Sequence, residues 1–435
     1  MAFRLLVLLF ALFPCAVQAQ QTADLPSAAL PSAPDSPAED ASQPLTLDEA
    51  LALAEKNSPR LQAAEARSAQ AAAAVKTAKA YTNPQVEFFG GHQSARDDVP
   101  VPGAPGLLQH YAAYQTFEIP SERSSRQRVA ALGRDSSGFA LASERRSVVA
   151  NVKHAFYEVL RRKEEIAQAQ ENLSLVEDLR RRVEVEVRVG EKGRLELTRA
   201  EAELARARFM VRSAQIHLAD SIAVLRATIA APPDRNLDPR GLLEPPIHLP
   251  PLSELREAVL RAHPAMEQAR TDVQRAEASL QHQRSLRVPQ PVFYGEYEHQ
   301  PDLTFWRAGV TIPLPLWDRR RGHIQEATAA VRESTAVRDQ TRLEMISTLE
   351  RAYEQYQLAD QQVTALQAGS LHEAESAVEA AQSAYHFGER GIVEVLDAQR
   401  VLQSVRGDLL DAQYARQSAL IDLEELGAVA PGGRP

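Results

Sequence analysis

Val189–Leu204 (VGEKGRLELTRAEAEL) and Phe387–Leu402 (FGERGIVEVLDAQRVL) align at an offset of 198, with identities that include Gly190/Gly388, Gly193/Gly391, Glu196/Glu394 and Ala200/Ala398. Each copy sets a glycine pair between two runs of helix-forming residues, the mark of a helix that stops, turns and starts again. Outward from these turns the doubling continues. Residues 47–90 align with 252–295 without a gap at an offset of 205, placing Pro59 on Pro264, Pro84 on Pro289, Phe88 on Phe293 and Gly90 on Gly295. A repeat of this length is too long for a solenoid of small units. The chain therefore reads as two copies of one large module: short helix, second helix, aromatic extended segments, very long helix, glycine turn, long returning helix.

The very long helices are the first constraint. From Ser121 to about Val187, and from about Arg319 to Ala384, no proline occurs and glycine is scarce. At ~1.5 Å per residue such a helix would be roughly 100 Å long, more than a globular domain accommodates. Apolar residues recur at three- and four-residue spacing among Arg and Glu, as in Val152, Ala155, Phe156, Val159 and in Leu343, Ile346, Leu349, Tyr353. That pattern predicts helices paired side by side in a coiled-coil-like array. The returning helices are expected at 195–230 and 392–426.

Between the helices the texture changes. Residues 84–120 and 289–317 hold both tryptophans and eleven of the 24 aromatic residues. His110–Ile119 alternates, with Tyr111, Ala113, Phe117 and Ile119 on one face and His110, Thr116 and Glu118 on the other. Leu303–Ile312 does the same, with Trp306, Ala308, Val310 and Ile312 opposite Arg307 and Thr311. One such segment would suit a soluble hairpin. Four, paired by the repeat in an exported chain, predict membrane β-strands, which need about ten alternating residues flanked by aromatics.

Export is read from the N-terminus: Arg4, the apolar run Leu5–Phe13, and Val17-Gln18-Ala19 as a small-residue cleavage site make a signal peptide. The single cysteine, Cys15, lies inside it. It is either removed with the peptide or, in a lipoprotein reading that Pro14 fits poorly, becomes the anchored residue. Gln20–Pro44 carries five prolines among Ala, Ser and Asp and reads as an extended tether. No later run of about 18 apolar residues occurs, so no membrane-spanning helix is expected. A net charge of −9 lacks the basic excess of a nucleic-acid binder. There is no phosphate-cradling glycine loop, no HExxH and no GxSxG, and the eleven histidines form no helix-face pair. No enzyme activity, no cofactor and no high-affinity metal site is expected.

The stretch Tyr385-His-Phe-Gly388-Glu-Arg390-Gly-Ile-Val-Glu394-Val-Leu-Asp397-Ala398 closely resembles the second-repeat turn of the TolC-type outer-membrane efflux proteins, and the resemblance extends over residues 45–427. Ile312-Pro-Leu-Pro-Leu-Trp317-Asp-Arg319, leading from strand into long helix, resembles the branch that serves cobalt–zinc–cadmium resistance pumps. The first-repeat junction, Ile119-Pro120-Ser-Glu-Arg123, departs from the glycine–lysine–arginine often found there. The resemblance implies a mainly α fold with a small β part: periplasmic α-helical hairpins forming a tunnel, and four membrane strands per chain contributing to a twelve-stranded barrel in a homotrimer. It implies an outer-membrane location and a passive exit duct fed by a periplasmic adaptor and an inner-membrane pump of the RND type, carrying heavy-metal cations. It also assigns Glu394 and Asp397 to an acidic constriction, Tyr385, Arg390 and Glu196 to a lock between hairpins, and Gly190, Gly193, Gly388 and Gly391 to the adaptor-docking tips.

Boundaries follow: signal peptide 1–19, linker 20–44, first repeat 45–245 with strands near 84–92 and 110–119, second repeat 246–427 with strands near 290–299 and 303–314, and tail 428–435. The arginines Arg123, Arg126, Arg128 and Arg319–Arg321 sit where barrel meets tunnel, either touching lipid phosphates or lying in solvent at a helix start. Two other readings stay open at the level of sequence. One is the exit duct of a drug pump or a type I secretion system, which differs only in cargo. The other is a periplasmic coiled-coil scaffold, which would not need four aromatic strands.

Overall fold

The computed structural model describes residues 44–94, 104–243 and 245–430. The signal peptide, all of the linker but Pro44, part of the 93–109 loop and the end of the tail lie outside the described residues. The first repeat contains β1 (Pro44–Leu45), α1 (Leu47–Asn57), α2 (Pro59–Lys79), β2 (Gln85–Gln93), β3 (Gly106–Thr116), α3 (Pro120–Arg188) and α4 (Arg194–Thr228). After the short β4 (Asp238–Pro239), the second contains α5 (Leu252–Ala262), α6 (Pro264–Ser285), β5 (Val292–His299), β6 (Thr304–Thr311), α7 (Arg321–Ala365), a π-turn (Leu366–Ser370), α8 (Leu371–His386) and α9 (Ile392–Glu425). No described helix is long and apolar enough to cross a membrane.

Local chemistry sets these boundaries. Thr46 and Glu49 form a capping box at the start of α1: the Thr46 hydroxyl accepts from Glu49 N–H at 3.3 Å, and the Glu49 carboxylate accepts from Thr46 N–H at 3.0 Å. Pro59 and Pro264 take the first helical position of α2 and α6, where no N–H is needed. His263, the residue before Pro264, caps α6 by accepting from Ala265 N–H at 3.1 Å. The strands differ slightly from their sequence bounds. β3 starts earlier, at Gly106, and ends at Thr116, because Pro120 already opens α3 and Glu118 turns away to accept from Thr82 and Arg126. β6 ends at Thr311 because Pro313 and Pro315 cannot donate to a ladder.

Helix α3 is unbroken over 69 residues. Its counterpart in the second repeat is interrupted by the π-turn, where the sequence predicts continuous helix; Gly369 and Ser370 lie at the interruption, where a helix is weakly held. Both long helices end in the same way. Gly190 and Gly388 adopt φ of 83° and 73°. The N–H after each glycine bonds back to the third-last helical carbonyl, Glu191 to Glu186 at 2.9 Å and Glu389 to Ala384 at 2.9 Å. This is a Schellman close in both copies, and it uses glycine because a Cβ disfavours that backbone. Gly193 and Gly391 then stand as the N-caps of α4 and α9.

The core is strung along the helices rather than gathered at a centre. One cluster joins Phe156, Val152 and Val159 of α3 to Leu225 of α4, Ala50 and Ala54 of α1 and Ile421 of α9. A second repeats it with Leu349 and Tyr356 of α7, Leu255 and Val259 of α5, and Leu420 and Leu423 of α9. A third lies at the hairpin tips, with Leu179, Val183, Ala200, Tyr385, Ile392, Val395 and Leu396. Lys153 and Glu424 form a buried ion pair at 2.5 Å that ties α3 to α9. Two of the junction arginines are engaged by their own chain: Arg123 donates to the Tyr81 hydroxyl at 2.8 Å and the Lys79 carbonyl at 2.9 Å, and Arg126 to Glu118 at 2.9 Å and the Ala80 carbonyl at 3.1 Å. They satisfy the last carbonyls of α2 and staple it to α3.

The four long strands form one antiparallel sheet in the order β2-β3-β5-β6, so the two repeats meet at β3–β5. The edges β2 and β6 have no partner strand within the described chain. Register sorts the side chains into two unlike faces. One face is apolar and carries Val86, Phe88, Tyr111, Ala113, Phe293, Tyr297, Trp306 and Val310. Across it runs a row, Phe88–Tyr111–Tyr297–Trp306, with ring centroids 5.0, 6.1 and 4.7 Å apart. Trp306 is nonetheless 80% exposed. The other face carries Glu87, His110, Tyr114, Glu296, Glu298 and Arg307.

Candidate functional site: the hairpin tips and the polar face of the sheet

Tyr385, in the last turn of α8, is 7% exposed and packed in the tip cluster. Its hydroxyl donates to the Glu186 carboxylate of α3 at 2.5 Å, joining the second hairpin to the first. Burial first, then the hydrogen bond and charge of Glu186 and the charge of Glu196, hold the phenol above its ordinary value. The Lys192 ammonium lies 5.1 Å from the Tyr385 ring centroid. Glu196 is half-buried in the first turn of α4, and its Oε2 is buried without a hydrogen-bond partner among the described residues. Arg390 is exposed at the turn and pairs with no described acid of this chain. Of the three residues that the family resemblance implies for a lock, Tyr385 and Glu196 therefore lie near each other, and Arg390 stands apart.

Glu394 and Asp397 are both exposed on α9, one turn apart. Asp397 accepts from Arg400 at 3.3 Å, and Arg400 also donates to Glu203 of α4 at 2.7 Å. Sequence reasoning missed Glu186, Arg400 and Glu203. Arg400 was legible as the residue one turn beyond Asp397. Glu186 was not, because its link to Tyr385 crosses 199 residues. The repeat is also unequal here: at the 198-residue offset Tyr385 matches Val187 and Asp397 matches Arg199.

On the polar face of the sheet, Arg307 donates to Glu298 at 2.6 Å and lies 3.4 Å from Glu296. His110 is stacked on Phe89, with ring centroids 4.3 Å apart. Among the described residues no three His, Cys, Asp or Glu side chains converge into a group able to hold a metal ion.

Long paired helical hairpins capped by a four-stranded sheet with one apolar face define a TolC-like fold. The profile of the family described as outer membrane efflux protein matches residues 50–230 and 255–428, so the chain belongs to the outer membrane efflux protein family. It is 25% identical over 376 residues to the cobalt-zinc-cadmium resistance protein CzcC of Cupriavidus metallidurans, covering 84% of this chain and 86% of that protein. It is 27% identical over 337 residues to protein CyaE of Bordetella pertussis, covering 74% of this chain and 71% of that one. Among solved structures, CusC superposes with a TM-score of 0.76 at 19% identity over 87% of this chain and 91% of its own. The Campylobacter jejuni CmeC outer membrane channel gives 0.77 at 16% identity over 89% and 86%.

Proposed function

We propose that this protein is the outer-membrane exit duct of a tripartite efflux system for heavy-metal cations. The observation that carries the duct is the sheet: four antiparallel strands with an apolar face and two open edges. Open edges are not tolerated in lipid, and four strands cannot close on themselves. Three copies close a twelve-stranded barrel, with the Phe88–Tyr111–Tyr297–Trp306 row against outer-membrane lipid and the Glu296–Arg307 face toward the lumen. Six hairpin tips, at Gly190, Gly193, Gly388 and Gly391 in each chain, then face the periplasmic adaptor, behind which stands an inner-membrane pump of the RND type. The CzcC likeness supports metal cargo. The duct is passive and does no bond chemistry.

Glu394 and Asp397 form the acidic mouth in this reading, and Tyr385, Arg390 and Glu196, with Glu186, hold it shut until the adaptor docks. Deleting the gene while pump and adaptor remain should raise intracellular cobalt, zinc or cadmium and lower resistance, and plasmid-borne protein should restore both. Unchanged metal levels with impaired drug or protein export would move the cargo to the other duct reading. A soluble periplasmic protein would favour a scaffold.

A further inference from the structure

Four arginines gather where the sheet meets the helices, and the duct reading leaves them unused. Arg284 lies in the last turn of α6 and Arg287 just past it, while Arg319 and Arg321 flank Arg320 at the start of α7. Arg320 donates to the Gln283 side chain at 2.9 Å, which brings the two pairs to one place. All four are exposed, and among the described residues the side chain of none has an ion pair or hydrogen bond. Asp318, the neighbouring acid in sequence, accepts from the Arg320 N–H at 2.8 Å. The first repeat differs: Arg123 and Arg126 at its matching junction are committed to the carbonyls of α2 and to Glu118. On a chain of net charge −9, this cluster is no general basic excess. It also runs against its helix, because the N-terminus of α7 carries a positive partial charge and its first turn holds no acid. An anion from outside the chain would offset both.

Apolar surface adjoins the cluster. Trp317 is 92% exposed, and Leu314 and Leu316 are exposed beside it. They follow the end of β6 at Thr311, so the chain runs from the apolar sheet face through exposed Leu and Trp to the arginines. Acyl chain, interface and phosphate follow in that order within one leaflet. We propose that this cluster binds the headgroup of an anionic phospholipid in the leaflet facing the periplasm. The guanidinium fork matches phosphate oxygens. The phosphate lies among the arginines, and Leu314, Leu316 and Trp317 lie against the upper acyl chains. Phosphatidylglycerol is preferred over phosphatidylcholine, whose choline ammonium the arginines repel.

The inference rests on the duct reading, which puts the apolar sheet face in lipid. The test uses the full-length protein in vesicles of phosphatidylcholine and phosphatidylglycerol in equal parts, with one or the other lipid brominated to quench tryptophan on contact. The chain has two tryptophans. Trp306→Phe leaves Trp317 to report on the junction, and Trp317→Phe leaves Trp306 to report on the sheet. Trp317 should favour brominated phosphatidylglycerol at least ~fivefold, the order that one arginine near an anionic surface supplies. High salt should reduce that preference. Arg284→Gln, Arg287→Gln, Arg319→Gln and Arg321→Gln together should remove it, with Trp306 still quenched to show that the variant is inserted. Equal quenching of Trp317 by both lipids, or a preference that survives loss of the arginines, overturns the headgroup site and leaves the duct reading standing. A Trp306 that neither lipid quenches removes the duct reading and this inference with it.

Discussion

Tyr385 shows how one side chain can couple two hairpins. Its phenol is held above the ordinary tyrosine value of 10.0 by burial and by the Glu186 and Glu196 carboxylates. A group whose folded value is raised contributes stability fully present below its unfolded value and lost as pH rises past it. Tip closure should therefore persist to about pH 10 and weaken above it. Tyr385→Phe should remove this alkaline response and raise single-channel conductance in planar bilayers at neutral pH. The lost hydrogen bond, made to a carboxylate, contributes about 1.5–3 kcal/mol per chain, and adding Arg390→Ser should increase the effect. Conductance of Tyr385→Phe identical to the parent's from neutral to alkaline pH would show that the contact does not gate. The two acids proposed for the mouth are unequal for a physical reason: Asp397 has Arg400 at 3.3 Å, and among the described residues Glu394 has no such cation. Exposed pairs of this kind are worth only ~0.2–1 kcal/mol, but they reduce local negative potential. Glu394→Ala should accordingly relieve block by periplasmic trivalent cations more than Asp397→Ala does, and the double variant should abolish it. Equal block in all three variants and the parent would place the constriction elsewhere.

At the scale of elements, the two Schellman turns set how each hairpin reverses. Gly190 and Gly388 hold φ of 83° and 73°, a backbone that costs an L-residue with a Cβ about 1–2 kcal/mol. Gly388→Ala should lower the melting temperature and expose the tip to limited proteolysis between α8 and α9. Gly388→Asn should be milder, because asparagine tolerates this region. Equal cleavage of parent and alanine variant would show that the turn is not under this constraint. The sequence made both glycine turns legible because they recur at fixed spacing. It did not reveal the π-turn at Leu366–Ser370. That break falls at Gly369-Ser370, and a single glycine inside a long apolar-periodic run does not by itself say that the helix changes its hydrogen-bonding there.

For the whole molecule, the open edges of β2 and β6 make a folded single chain unfavourable in lipid. The protein extracted in mild detergent is expected to sediment as a trimer. On heating it should convert in one step to unfolded monomer in semi-native gels, with no compact monomer band. A stable, folded, monodisperse monomer in light-scattering measurements would overturn the twelve-stranded barrel. In the proposed trimer, the exposed apolar residues along the helices, including Phe209, Ile216, Leu343 and Val401, would be further surface for neighbouring chains to cover.

The repeat, the long helices, the glycine reversals and the four alternating strands were all determined by the sequence itself, because each rests on local spacing: 3.6 for helix, two for strand, and a recurring glycine pair. The family followed from the same stretches. The contacts between distant segments were decided only in three dimensions. Glu186 meets Tyr385, and Arg400 meets Glu203, because two hairpins pack side by side. The Phe88–Tyr111–Tyr297–Trp306 row and the placing of His110 beside Glu296 and Glu298 depend on strand register. A one-residue slip would send every side chain of a strand to the opposite face. Alternation says that a strand has two faces; only the paired sheet says which residues share one.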